Sequence, residues 1–420
     1  MEPARAKARG PYGPQKLDTQ AATTHSHPKG CGFRPRSIKA MFNIILLGIT
    51  SLLTDISSEM VYPILPIYLI TRLGASPAIL GLIEGIAESL ASLLKVFSGY
   101  FSDKIKSRKP FTILGYASST VGKVFLYIST SWGYVLVGRI VDRVGKGLRT
   151  APRDALIAES SKEGRRGRAF GLHRAMDSIG ASMGVLLAYF FIVRHKGDFK
   201  IIFLFSLIPA FLGLSFLFFI KEKKPEVKIS QEKLKFEWKT MDKRLKLFLI
   251  FTFIFTLGNS SNQFLLLRAK DSGNPMPTVI LFYLAYNIVY ALISYPAARL
   301  SDRIGRKKLL VLGYFFYGLV YLGFAVNHSS SIFWLLFGIY GLYIGFTEGV
   351  EKALIADVAP VNLRATVIGL HATLVGIGLL PASLLAGMLW KFIGPAAPFY
   401  FGAVMGISAS IGLGVVLRGI

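Results

Sequence analysis

RIVDRVGKGLRTAPRD, residues 139–154, places seven charges in sixteen residues: Arg139, Asp142, Arg143, Lys146, Arg149, Arg153 and Asp154. Wound as an α-helix at about 100° per residue, all seven fall within an arc of roughly 140°. Val137, Val141, Val144, Leu148 and Ala151 take the opposite side. Such a stripe is either a helix in solvent or a membrane-spanning helix turned toward a wet interior. The rest of the chain decides between them.

Of the 420 residues, 52% are hydrophobic, and they gather in runs of about twenty, the length that crosses a hydrocarbon core. The runs lie at 41–71, 77–101, 110–130, 133–158, 168–193 and 199–220, then at 247–268, 276–300, 308–326, 331–357, 366–390 and 395–417. They predict an all-α polytopic membrane protein with twelve transmembrane helices in two six-helix bundles, 41–220 and 247–420. Residues 1–40 hold eight Lys or Arg, with several Pro and Gly and no apolar period, so a disordered basic cytoplasmic tail is expected. His25, His27 and Cys31 in that tail offer a metal no fixed geometry, and neither a metal nor a cofactor is expected. Residues 221–246, with ten bases and five acids, read as a cytoplasmic linker.

The formal net charge of +26 would suggest nucleic acid in a soluble protein, but here the bases concentrate in alternate loops, with Arg194, Lys196 and Lys200 as exceptions. Lys104, Lys106, Arg108 and Lys109 follow the second span, Lys162, Arg165, Arg166 and Arg168 the fourth, and Arg303, Arg306, Lys307 and Lys308 the eighth. The positive-inside bias puts both termini and the linker in the cytoplasm, and nucleic acid is not an expected partner.

A repeat supports the division. ALIAES at 155–160 returns as ALIADV at 353–358, GLHRAMDSIG at 171–180 as GLHATLVGIG at 369–378, and SDKIKSRK at 102–109 as SDRIGRKK at 301–308. Two halves in the same order make a parallel repeat about an axis along the membrane normal. The run SDRIGRKK, its degraded copy SDKIKSRK and the RRGRAFG stretch at 165–171 resemble the corresponding loops of the major facilitator superfamily, and the resemblance runs from residue 41 to the end. The charged fourth span resembles that of a prokaryotic subgroup. The resemblance implies a secondary active transporter, not an enzyme, working by alternating access in a prokaryotic cytoplasmic membrane, as a monomer. Its central cavity would be lined by the first, fourth, seventh and tenth spans. It also implies gating contacts between acids and bases on the loops, here Asp103, Arg108, Asp302 and Arg303.

The partner of the charged stretch in the second half, 331–357, is long and mostly apolar, so 139–154 is read as the fourth span. Each charge at mid-membrane costs about 2.5–3.5 kcal/mol on insertion scales, so seven facing lipid would cost on the order of 20 kcal/mol. They must face protein or water. Arg139, Arg143, Lys146 and Arg149 exceed what the helix itself balances, and arginine suits carboxylate or phosphate, so they are candidates for binding a small anionic solute.

The candidate partners are Asp55 and Glu59 on the first span and Glu84 and Glu88 on the second, each pair four apart on one face. They either neutralise the bases or carry protons. In the repeat, Glu84 and Glu88 align with Tyr283 and Asn287, and Asp55 and Glu59 with Asn259 and Gln263, neutral groups that would complete a substrate site. Glu348 and Glu351 are read as gating residues near the cytoplasmic end of the tenth span. If the acids face the cavity instead of the bases, export of cationic or amphipathic compounds is expected. A reading from another class is a receptor or partner subunit on the same fold that no longer transports. The chain has no GxxxxGK[ST] loop, so ATP is not the expected energy source.

Overall fold

The computed structural model describes residues 35–105, 107–161, 166–222, 242–359 and 364–416. The expected tail, most of the linker, and Lys106, Lys162 and Arg165 therefore lie outside the described residues. Those described form fourteen helices and no strand. They are α1 (Pro35–Val61), α2 (Leu65–Thr71), α3 (Pro77–Ile105), α4 (Lys109–Tyr127), α5 (Trp132–Ser160), α6 (Arg166–Arg194) and α7 (Phe199–Leu217). After the linker come α8 (Lys243–Gly258), α9 (Gln263–Asp271), α10 (Met276–Ile304), α11 (Arg306–Val326), α12 (Ser330–Val358), α13 (Arg364–Phe392) and α14 (Ala397–Val416).

Eight stretches among them are long and apolar enough to cross a bilayer: Met41–Thr71, α11, α14 and most or all of α6, α7, α10, α12 and α13. Large apolar side chains such as Phe190, Leu212, Leu292, Val404 and Ile411 stand on the outer surface, as lipid contact requires. The chain is an integral membrane protein. Helix α5 falls below that apolar standard because of its own charges, although at 29 residues it has the length. Helix α8, at 16 residues, is cut short by a break.

Two breaks interrupt long runs. At 62–64 Pro63 supplies no N–H, and Pro66 then sits in the first turn of α2, where none is needed. The second break, Asn259-Ser-Ser-Asn262, contains no proline; short polar side chains that compete for backbone hydrogen bonds take its place. Side chains meet freed backbone groups there: Tyr317 donates to the Gly258 carbonyl at 2.7 Å, and the Ser261 N–H donates to the Ser383 hydroxyl at 3.2 Å; Tyr340 and Tyr343 hold the Asn262 and Asn259 side chains. Irregular backbone at membrane depth is tolerated only with such compensation.

Helix packing recurs along the chain. The pairs α1–α6, α1–α7, α3–α5, α4–α5 and α4–α7 return as α8–α13, α8–α14, α10–α12, α11–α12 and α11–α14. Between the two sets, α3 packs on α13, α6 on α10, and the short α2 on α9. The α3–α13 seam includes close contacts from Pro77 with Gly387 to Ser92 with Ala372. Beyond it, toward the charged loops, α3 exposes Phe97 and Tyr100. The molecule is thus closed at the α2–α9 end and open toward the loops.

Candidate functional site

A cavity of about 190 Å³ lies among α1, α3, α4, α5 and α10, lined by Asp55, Glu59, Tyr62, Glu88, Tyr283 and the charged face of α5. Lys123 of α4 also lines it. The position of α5 follows from glycines at two crossings with α4. A Cβ on Gly122 would stand 2.6 Å from the Gly138 carbonyl oxygen, and one on Gly145 would stand 2.4 Å from that of Gly115. No other residue permits that approach, and it brings Lys123 into the same wall as the α5 charges.

The bases divide into paired and unpaired groups. Arg139 donates Nε to Glu84 Oε1 and Nη2 to Glu84 Oε2, both at 2.8 Å. This is a bidentate pair in which Glu84 has no exposed surface. The Ser261 hydroxyl, from the break before α9, adds a third bond to Glu84 Oε2 at 3.2 Å. Arg143 pairs with Glu88 at 2.9 Å, and Asp142 lies 3.7 Å from Arg139 and 4.0 Å from Arg143. Arg149 instead donates to Ser119 and covers the Tyr116 ring at 4.5 Å. Arg153 pairs with Asp154 at 2.9 Å and donates to Ser51.

Lys123, Lys146 and Arg149 have no carboxylate within 4 Å among the described residues. Lys123 is 3% exposed, and its Nζ has no hydrogen-bond partner among them. Asp55 and Glu59 have no Lys or Arg within that distance either. Glu59 accepts the hydroxyl of Tyr283 at 2.9 Å, a contact that reaches across from α10.

Of the residues expected at a site, the structure therefore gathers Asp55, Glu59, Glu88, Arg139, Arg143, Lys146, Arg149 and Tyr283 around one cavity. Glu84 lies behind the wall. Asn259 bonds Tyr343, Asn287 donates to its own helix at the Tyr283 carbonyl, and Gln263 is fully buried, none of them among the lining residues. Lys123 is absent from the sequence candidates, although a lysine inside an otherwise apolar run was itself a signal.

The expected gating residues are arranged in loops and at the open mouth. Arg108 pairs with Asp103 at 3.0 Å and with Glu159 at 2.5 Å. In the second half Arg306, rather than Arg303, pairs with Asp302 at 3.5 Å and Asp357 at 2.6 Å. Glu348 meets Arg174 of α6 at 3.4 Å, and Tyr290 donates to it. Glu351 accepts from Tyr314 at 2.9 Å and lies 3.5 Å from His371. His173, at the position matching His371, bonds Ser51 at 2.9 Å and lies 3.3 Å from Asp177.

A family model described as Major Facilitator Superfamily matches residues 47–268 and again 247–419. An uncharacterized MFS-type transporter of Methanocaldococcus jannaschii is 42% identical over 375 residues, 88% of this chain and 93% of that one. The multidrug resistance protein MdtH of Baumannia cicadellinicola is 25% identical over 321 residues, 74% of this chain and 75% of that one. Among solved structures, the nucleoside transporter NupG superposes with a TM-score of 0.73 at 13% identity, covering 90% of this chain and all of that one. That likeness bears on the fold alone.

Proposed function

Since the chain belongs to the major facilitator superfamily, a family of membrane transporters, we propose that it is a secondary active transporter for a small anionic solute, coupled to protons. In this reading twelve spans form two bundles, 41–220 and 247–420, which rock about the cavity to expose it to alternate sides of a cytoplasmic membrane, both termini inside. Family membership and the charged cavity together support it over a soluble or enzymatic role.

The observation that carries the proposal is the sorting of charges within one cavity. Glu84 and Glu88 neutralise Arg139 and Arg143, while Lys123, Lys146 and Arg149 have no close carboxylate among the described residues to neutralise them. Asp55 and Glu59 are then the acids free to carry protons. A volume of about 190 Å³ lies below the roughly 300–1,000 Å³ of sites for drug-sized ligands, which favours a compact solute.

The test is uptake of radiolabelled organic anions by proteoliposomes with an imposed proton gradient. Gradient-dependent uptake that Glu59→Gln abolishes is expected; uptake indifferent to both would exclude the coupling. A second reading, export of cationic or amphipathic compounds, draws on the accessible Asp55 and Glu59 and on the multidrug-resistance relative. Transport of an organic cation that survives Lys146→Gln but not Asp55→Asn would favour it.

A further inference from the structure

We infer that Lys123, Lys146 and Arg149 form an anion subsite whose filling is tied to protonation of Asp55 and Glu59, so that anion and protons are carried together in one direction. The inference rests on the transport reading above and adds the binding residues and the sense of coupling.

The charge count around the cavity carries it. Five bases line the wall: Lys123, Arg139, Arg143, Lys146 and Arg149. Four lining acids, Asp55, Glu59, Glu88 and Asp142, face them, and Glu84 behind the wall makes a fifth. Removing the close pairs Arg139–Glu84 and Arg143–Glu88 leaves three bases against three acids. Asp142 is already drawn between Arg139 and Arg143. With every one of these groups charged the count balances; Arg153 and Asp177, outside the lining, have their own contacts in Asp154 and His173.

Each proton accepted by Asp55 or Glu59 leaves one positive charge without a counterpart among the protein's own groups. An anion can supply one. Binding of the anion and of the proton therefore reinforce each other, and by linkage each raises the affinity for the other by the same factor. A monoanion would enter with one proton and a dianion with two, leaving the loaded cavity neutral. Exchange would require the opposite, a ligand that displaces protons. A cation drawn to Asp55 and Glu59 would do so, but it would have to settle against three bases that have no close acid of their own.

The groups around the two acids fit this account. Asp55 is faced by Lys146, Arg149 and Arg153 of α5 and by Asp177 of α6, whose nearest contact is His173. Glu59 is faced by Lys146 and Arg143 of α5, by Asp55 on its own helix, and by Tyr283 of α10. Lys123 of α4 faces Asp142, Arg149 and Asp55. Among the described residues, the one hydrogen bond to either acid from the α8–α14 side is that of Tyr283, so the proton-carrying group is also a contact between the two helix sets.

Full-length protein in detergent, weakly buffered and containing a pH dye, is titrated with sodium lactate, succinate, citrate and inorganic phosphate, with thermal unfolding as a parallel readout of binding. At least one anion should bind with proton uptake, and its affinity should rise by up to about tenfold per pH unit lowered for each linked proton. Lys123→Gln should weaken binding at least tenfold while Lys123→Arg retains much of it, with the ligand-free unfolding midpoint of both variants close to that of the unaltered protein, which loss of a merely structural role would lower. If Lys123→Gln does not fold, Lys146→Gln, at an exposed position, provides the same loss. Asp55→Asn with Glu59→Gln should leave binding independent of pH and without proton uptake. Proton release, pH-independent binding to the unaltered protein, or failure of all four anions to bind overturns the inference. Linked binding in detergent without uptake by proteoliposomes would support the subsite and sink the transport reading. Gradient-driven uptake undiminished by Lys123→Gln and Lys146→Gln would do the reverse.

Discussion

At the scale of single residues, the distinction that matters is between charges that hold the protein together and charges that remain available. Arg139 and Glu84 belong to the first kind: both are buried, doubly hydrogen-bonded, and braced by Ser261 from a distant part of the chain. Removing one partner leaves an uncompensated buried charge, which costs about 3–5 kcal/mol. Glu84→Ala should therefore lower the thermal unfolding midpoint markedly, and Lys146→Ala, at an exposed position, should change it little. Equal midpoints for the two variants would show that the pair contributes no stability. The sequence identified both residues as members of a charged set. It did not say that Arg139 would be satisfied by Glu84 and Arg143 by Glu88, because spacing along two helices does not specify their relative rotation and depth.

At the scale of elements, α5 is set close against α4 along a line that includes Asp142 and Arg149 of its charged stripe. The glycines at the two crossings bring the backbones together, and a methyl group at Gly145 would overlap the Gly115 carbonyl. Overpacking of this kind costs about 1–3 kcal/mol. Gly145→Ala should reduce thermal stability and anion binding together, whereas Gly171→Ala on α6, where an added Cβ meets nothing within 4 Å, should reduce neither. Matching behaviour of the two variants would refute the role assigned to the crossing. The helices themselves were legible in the apolar runs, nearly to their ends. The break at Asn259–Asn262 was not, because a short polar segment reads equally well as part of a helix until its hydroxyl and amide partners are known.

At the scale of the whole molecule, the structure is closed where α2 meets α9 and open toward the charged loops, with Arg174, Tyr290 and Glu348 in contact across the open mouth. Leu172 on α6 and Tyr295 on α10 are both exposed near that contact. In a protein whose single cysteine has been replaced, Cys31→Ser, spin labels at Leu172→Cys and Tyr295→Cys should report a second, shorter distance when a bound anion and low pH promote closure of this side. One unchanged distance under all conditions would argue against rocking bundles.

What the sequence by itself determined is the class of molecule and the inward direction of RIVDRVGKGLRTAPRD. Both follow from one-dimensional quantities, the length of an apolar run and the cost of placing charge in lipid. What only the tertiary structure decided is which of those charges are spent on one another. That choice depends on ångström-scale distances among five helices, and it leaves Lys123, Lys146 and Arg149 facing Asp55 and Glu59 across a small cavity.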